Sequence, residues 1–280
     1  MYEFSGGENP DPATTAPAES DPAATTPPPG DTDPATPTPP PGDTDPATAA
    51  PATTAPVTTN PTEPDTPTPT PGLPATYQDV SGNYAISGGS ATYTGPASNN
   101  ATSVTIPAAI TVNGQTVKIT AIADKAFYKN TKLRTITIGK NIKTIGRSAF
   151  YGCSRLQTVK GGAGVVTLRD SAFGSCKVLK TFPTLSKLQT LGQSAFKGCV
   201  KLPKFTLGAK VKSIGKNAFN GCKALKTITV KTTKLTSGNV KANAFKGIYS
   251  KATFKCPKSR LAAYRKLFVK KGAPKTAKFK

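Results

Sequence analysis

The 280-residue chain contains no histidine and no tryptophan. Without imidazole, Ser–His and Cys–His nucleophile pairs and His-based metal sites are excluded. Carboxylates are scarce as well: after residue 74 only Asp79, Asp124 and Asp170 occur. Glycoside hydrolysis needs two carboxylates at one site, and the 23-residue register of this chain spreads those three over different units. A Ser or Thr nucleophile with a Lys base is formally available, but no motif singles one out. The expectation is a non-catalytic protein without a cofactor. No run of about 18 apolar residues occurs, so no membrane-spanning helix is expected. Met1-Tyr2-Glu3-Phe4 is not a charged start followed by an apolar run, so no signal peptide is visible.

Lys and Arg are missing from residues 1–74, which hold 21 of the 27 prolines and 11 of the 14 acidic residues. The unit Pro-Pro-Pro-Gly-Asp-Thr-Asp-Pro-Ala-Thr starts at Pro27 and returns at Pro39. Such a segment cannot bury enough apolar surface to offset chain entropy. Residues 1–74 are therefore expected to be a disordered, acidic Pro/Thr-rich linker, extended by its prolines into a semi-rigid spacer. Stalks of this composition suit O-glycosylation and extracellular display. Residues 75–280 carry all 37 Lys and Arg against three Asp, a net charge of +34. A field of that sign favours anionic partners.

The remainder is repetitive. Ala-Phe pairs end at Phe127, Phe150, Phe173, Phe196 and Phe219, each 23 residues after the last, and at Phe245, 26 further on. Five before each Phe stands an aliphatic residue: Ile122, Ile145, Leu168, Leu191, Ile214, Val240. Three after it come Asn130, Cys153, Cys176, Cys199, Cys222 and Ile248; six after it, Leu133, Leu156, Leu179, Leu202 and Leu225. A fixed period in the 20–29 range is the signature of a leucine-rich solenoid. In the coil from Leu133, alternate residues Leu133, Ile136 and Ile138 are predicted to point inward from a short strand. Ser148 to Gly152 are predicted to form a short helical turn that buries Ala149 and Phe150, with Gly152 left-handed. Stacked coils then form structural ladders of Phe and Cys. A metal reading of the cysteines fails because zinc ligands come in close pairs. A Ser at such a rung is expected to bury an unpaired hydroxyl. A disulfide between neighbouring rungs is sterically open.

Residues 75–121 read as a β-rich N-terminal cap and first repeat, with hairpins turning at Ser87–Ser90 and at Asn113-Gly114. Residues 122–253 are the repeats. Residues 254–280 read as a strand and helix cap, with Phe254 and Cys256 on the final strand. Ser259 is expected to cap a helix presenting Leu261, Tyr264, Leu267 and Phe268, closed by Gly272.

Leu133 to Cys153 resembles the BspA-type leucine-rich repeat family of bacterial surface proteins, with Gly139 where that pattern has Pro. Val104 to Phe127 fits once a hairpin insertion is allowed, and Phe254 through the helix resembles the usual end cap. The resemblance covers residues 77–280 and implies a right-handed, β-rich α/β solenoid of about six coils, export, and adhesion or cell-surface interaction. It implies no catalytic residues.

Two surfaces are candidates for binding. Thr135, Thr137, Thr158, Lys160, Thr181, Lys204, Thr206, Thr227 and Thr229 occupy outward strand positions, expected to line the concave face. Lys140, Lys143, Arg147, Lys210, Lys212 and Lys216 occupy turn positions expected to stack into a basic flank. The strand face carries no aromatic, which disfavours sugar stacking there. The expected function is an extracellular or cell-surface binding and adhesion module on a Pro/Thr-rich stalk, monomeric, recognising a protein or an anionic cell-wall or host polymer. The competing reading is a charge-driven nucleic-acid or polyanion binder. It is opposed by the lack of the aromatic–basic interleaving that stacks bases.

Overall fold

The computed structural model describes residues 72–280; the expected linker lies, up to residue 71, outside the described residues. Parallel pairing at a constant sequence offset builds the repeats. The short strands β8 (Thr144–Ile145), β10 (Thr167–Leu168), β11 (Thr190–Leu191) and β13 (Ser213–Ile214) pair in register, Thr144 with Thr167, Thr167 with Thr190 and Thr190 with Ser213. Each pairing step is one 23-residue coil, so every equivalent side chain is stacked one strand spacing, about 4.8 Å, from its copy. The longer strands β7 (Thr135–Ile138), β9 (Thr158–Gly161), β12 (Lys204–Leu207) and β14 (Thr227–Val230) form the second strand position of the coils. Their alternation buries Ile136 and Ile138 while Thr135 and Thr137 stay partly exposed, as a pleated strand with one solvated face requires.

That second strand position is split. β4 (Ser103–Ile106), β7 and β9 form one sheet; β12, β14, β15 (Thr253–Lys255) and β16 (Lys278–Phe279) form another. The coil between them contributes only a bridge from Thr158 to Thr181. Pro183, two residues on, has no N–H to give to the ladder. Gly161 and Gly162 lie in the left-handed region at φ +74° and +73°, where β9 ends. A Cβ on Gly162 would lie 3.2 Å from Leu185 Cδ2, so the next coil's Leu185 packs where the missing side chain leaves room.

The Phe turn differs from the short helical turn predicted. Residues two before and two after each Phe are left-handed, for example Ser148 at φ +53° and Gly152 at +72°. Within the turn Tyr151 N–H donates to Ser148 O at 3.0 Å, whereas Ser148, Phe150 and Gly152 donate sideways to Asp170, Ala172 and Gly174 of the next coil. The turn is thus a ladder between coils. Phe127, Phe150, Phe173, Phe196, Phe219 and Phe245 are buried, with successive ring centroids 4.9–5.8 Å apart and interplanar angles of 4–12°.

Both ends of this stack are closed by aromatics. At the N-terminal end, β1 (Thr76–Asp79), β2 (Gly82–Ser87) and β3 (Ser90–Gly95) form an antiparallel meander. β3 pairs parallel with β6 (Gln115–Ile122), and β6 pairs antiparallel with β5 (Ala109–Val112) through the turn at Asn113-Gly114. Tyr93 stacks on Phe127 at 5.6 Å, and its hydroxyl donates to Ser81 O. At the other end Phe268 of helix α1 (Leu261–Lys270) lies 5.0 Å from Phe245. Two details of this cap correct the sequence reading. A 3₁₀ turn spans Lys258–Arg260, so Ser259 lies inside it and no side chain caps the helix. The final strand is β16, which pairs with β15, and Cys256 lies just beyond β15. Among the described residues no helix is long and apolar enough to cross a membrane.

Candidate functional site

The cysteine rungs are placed by the same stacking. Cys153, Cys176, Cys199 and Cys222 are buried, and each Sγ–H donates to the Phe carbonyl of the preceding coil at 3.0–3.1 Å. All five cysteines are free. Burial pushes the Cys153 thiol up to about 12 and raises Cys199 and Cys222 well above the ordinary range. Thiols held neutral are poor nucleophiles and poor metal ligands. In the first coil the rung is Asn130. With no earlier Phe turn to accept a thiol proton, its Oδ1 accepts from Lys132 N and Leu133 N and its Nδ2 donates to Asn99 O. Among the described residues, no cluster of three or more His, Cys, Asp or Glu is arranged to hold a metal ion.

The strand-face candidates are brought together only in part. Thr135 pairs with Thr158 and Thr137 with Lys160 on one sheet; Lys204 pairs with Thr227 and Thr206 with Thr229 on the other. Thr181 touches the first group through its bridge to Thr158 and marks the break between the sheets. The strand face is therefore two Thr/Lys patches rather than one array. Phe182 and Phe205, from the strand position next to Thr181 and Thr206, turn inward and pack edge-on against Phe196 at 4.8 and 5.0 Å.

The basic-flank candidates are all exposed but form two groups. Lys140, Lys143 and Arg147 belong to the coil of Phe150; Lys210, Lys212 and Lys216 belong to the coil of Phe219, three coils on. Between them Val166 and Gln189 occupy the Lys143 and Lys212 position, and Asp170 and Gln193 the Arg147 and Lys216 position. The six residues do not by themselves form a continuous stripe, although exposed Lys187 stands one coil before Lys210 at the same register position. The three carboxylates are turned onto backbone amides. Asp79 Oδ1 accepts from Ser81 N and Gly82 N, Asp124 Oδ1 from Arg147 N at 2.6 Å, and Asp170 Oδ1 from Gln193 N at 2.7 Å.

Sequence reasoning overlooked one surface feature. Tyr128 and Tyr151 follow the ladder Phe in the first two coils, and their rings stack at 5.6 Å and 14°. Tyr128 is 42% exposed, and Lys129 Nζ lies 5.4 Å from its ring centre. The signal was present as an Ala-Phe-Tyr triplet repeated at the 23-residue period.

The stacked parallel coils and buried Leu, Ile and Phe rows define a leucine-rich repeat solenoid. Its repeats are of the BspA type: six copies of the BspA type Leucine rich repeat region match over residues 120–252. No curated protein sequence matches. Among crystal structures, the T. pallidum leucine rich repeat protein TpLRR is similar at 24% identity and TM-score 0.52, over 72% of this chain and 95% of that one. A Bacteroides ovatus leucine-rich repeat protein shares 26% identity at TM-score 0.52, over 62% of this chain and 45% of that one. The pneumococcal vaccine antigen PcpA shares 17% identity at TM-score 0.51, over 70% of this chain and 46% of that one. These likenesses concern the fold.

Proposed function

We propose that the protein is a non-catalytic binding and adhesion module of the cell surface or extracellular space. Residues 1–74 serve as its stalk, and residues 75–280 recognise an anionic partner, either a cell-wall or host polymer or an acidic protein surface. The observation that carries this reading is the uncompensated charge. Residues 75–280 have 37 Lys and Arg against three Asp, and each Asp has a carboxylate oxygen on backbone N–H groups. Lys140, Lys143, Lys160, Lys204, Lys210, Lys212 and Lys216 are exposed, on a scaffold whose stacked core fixes their spacing. A rigid cationic surface attracts polyanions at long range and releases their counterions on contact.

The test is calorimetric titration of the full chain with wall teichoic acid, heparin and duplex DNA. Binding of the first two with saturable stoichiometry supports the reading. Preference for DNA over both favours the nucleic-acid alternative. Replacing Lys210, Lys212 and Lys216 together by Gln is expected to weaken binding without lowering the melting temperature, because all three are exposed.

A further inference from the structure

We propose that Tyr128, backed by Tyr151 and lining one groove with Lys125, Lys129 and Lys132, is a binding site for an acidic sugar ring of an anionic glycan. The proposal deepens the anionic-partner reading above and rests on it.

Four observations converge. Tyr151 stacks on Tyr128 and Lys129 Nζ lies over the Tyr128 ring, 5.4 Å from its centre, yet Tyr128 stays exposed. Tyr128 lines a groove of about 520 Å³ together with Asn99, Asn100, Lys125, Lys129 and Lys132 among others.

The stack has room made for it. A Cβ on Gly174 would lie 2.8 Å from Tyr151 Cδ2. Gly174 does not have a positive φ, so its backbone does not call for glycine; the Tyr151 ring does. The same position in the next coils is Lys197 and Asn220.

The lysines sit where the backbone disfavours them. Lys125 and Lys129 are left-handed, at φ +60° and +55°. The later coils place Ser148, Ser171, Ser194, Asn217 and Asn243 at the first of these positions, and Gly152, Ser175, Gly198, Gly221 and Gly247 at the second. Lysine in this conformation is disfavoured relative to Gly or Asn. Such strain gathers at functional sites, and here it falls on two lysines that line the groove, Lys129 with its Nζ 5.4 Å from the exposed ring.

The chemistry fits one sugar unit better than a nucleotide chain. Tyr128 is the one exposed aromatic lining the groove, enough for one ring, whereas single-stranded nucleic acid is held by successive aromatic platforms. The amides of Asn99 and Asn100 each offer a donor and an acceptor, matching vicinal hydroxyls. Three lysines complement carboxylate or sulfate.

The experiment titrates the full chain with a hyaluronan oligosaccharide, a heparin oligosaccharide, neutral dextran and oligo-dT, following tyrosine fluorescence, which no tryptophan obscures. Wild type is expected to bind a carboxylated or sulfated glycan and not dextran. Tyr128→Ala is expected to lose about tenfold in affinity, as removal of an aromatic platform does. Tyr128→Phe should retain binding, and Gly174→Ala should weaken it by displacing Tyr151. Unchanged melting of Tyr128→Ala shows that the loss is local. Undiminished glycan binding by Tyr128→Ala, with loss in the Lys210, Lys212 and Lys216 triple variant, overturns this site while leaving the anionic reading intact. No glycan binding by wild type overturns both. Tighter, Tyr128-dependent binding of oligo-dT overturns the sugar assignment.

Discussion

The Cys176 thiol donates to the carbonyl of Phe150 at 3.1 Å. The same carbonyl accepts Cys153 N–H within its own coil at 3.2 Å, so the thiol satisfies its second lone pair from the coil that follows. This changes what a serine does at the rung. Its hydroxyl meets an acceptor instead of being buried unpaired. Cys176→Ser is therefore expected to be milder than Cys176→Ala, which leaves part of a buried carbonyl unsatisfied at about 1–2 kcal/mol. Urea unfolding of the two variants checks the order; a serine variant less stable than the alanine variant contradicts it.

Phe173 stacks between Phe150 and Phe196 at 4.9 and 5.5 Å and meets Phe182 edge-on at 5.1 Å. Phe173→Ala is expected to cost about 3–5 kcal/mol, the range for emptying a close-packed aromatic site. Calorimetric melting measures it, and a loss below about 1 kcal/mol is too small for a ring fixed by three neighbours.

Tyr264 fastens the helical cap to the residues inserted before Val240. Its hydroxyl donates to Thr232 O at 3.0 Å and accepts from Leu235 N at 3.2 Å. Tyr264→Phe keeps the ring and removes both bonds, at about 1–3 kcal/mol for the buried groups left unpaired. Hydrogen exchange at the Leu235 amide should quicken before the central coils respond. Uniform exchange across all coils would show that the cap and the repeats open as one unit.

Stability should fall on the alkaline side. Burial holds the Cys153 thiol at about 12, against an ordinary value of 9.0, and raises Tyr84 and Tyr93 in the same direction. Above pH 9 the unfolded chain loses these protons first. The unfolded state then binds fewer protons than the folded one, and stability declines as pH rises through this window. With no histidine, little change is expected between about pH 5.5 and 7.5. Melting temperature against pH is the measurement, and a transition near neutrality would contradict it.

The repeat and its core were legible because stacking copies one pattern in register. Phe127 to Phe245 and the Cys rungs needed only their spacing to be read. The split of the strand face was harder to see, because Pro183 reads as one residue in an outward row until pairing shows that it interrupts a ladder. The Phe turn was misread as helical because the left-handed serines Ser148, Ser171 and Ser194 look ordinary in sequence; their conformation comes from bonds to the next coil. The six residues of the basic flank fall into two groups for a related reason. Lys143 and Lys212 share a register position, but Val166 and Gln189 stand between them. Tyr128 went unnoticed because its significance lies in contact with Tyr151 and in the side chain that Gly174 lacks.

The most direct measurement is the salt dependence of binding by the full chain to heparin, between about 50 and 500 mM salt. Displacement of counterions by exposed lysines predicts that log affinity falls linearly and steeply with log salt. It also predicts a shallower slope for the Lys210, Lys212 and Lys216 triple Gln variant, by up to about one unit per lysine removed. An affinity independent of salt, or a slope unchanged in the triple variant, would contradict recognition through that basic surface.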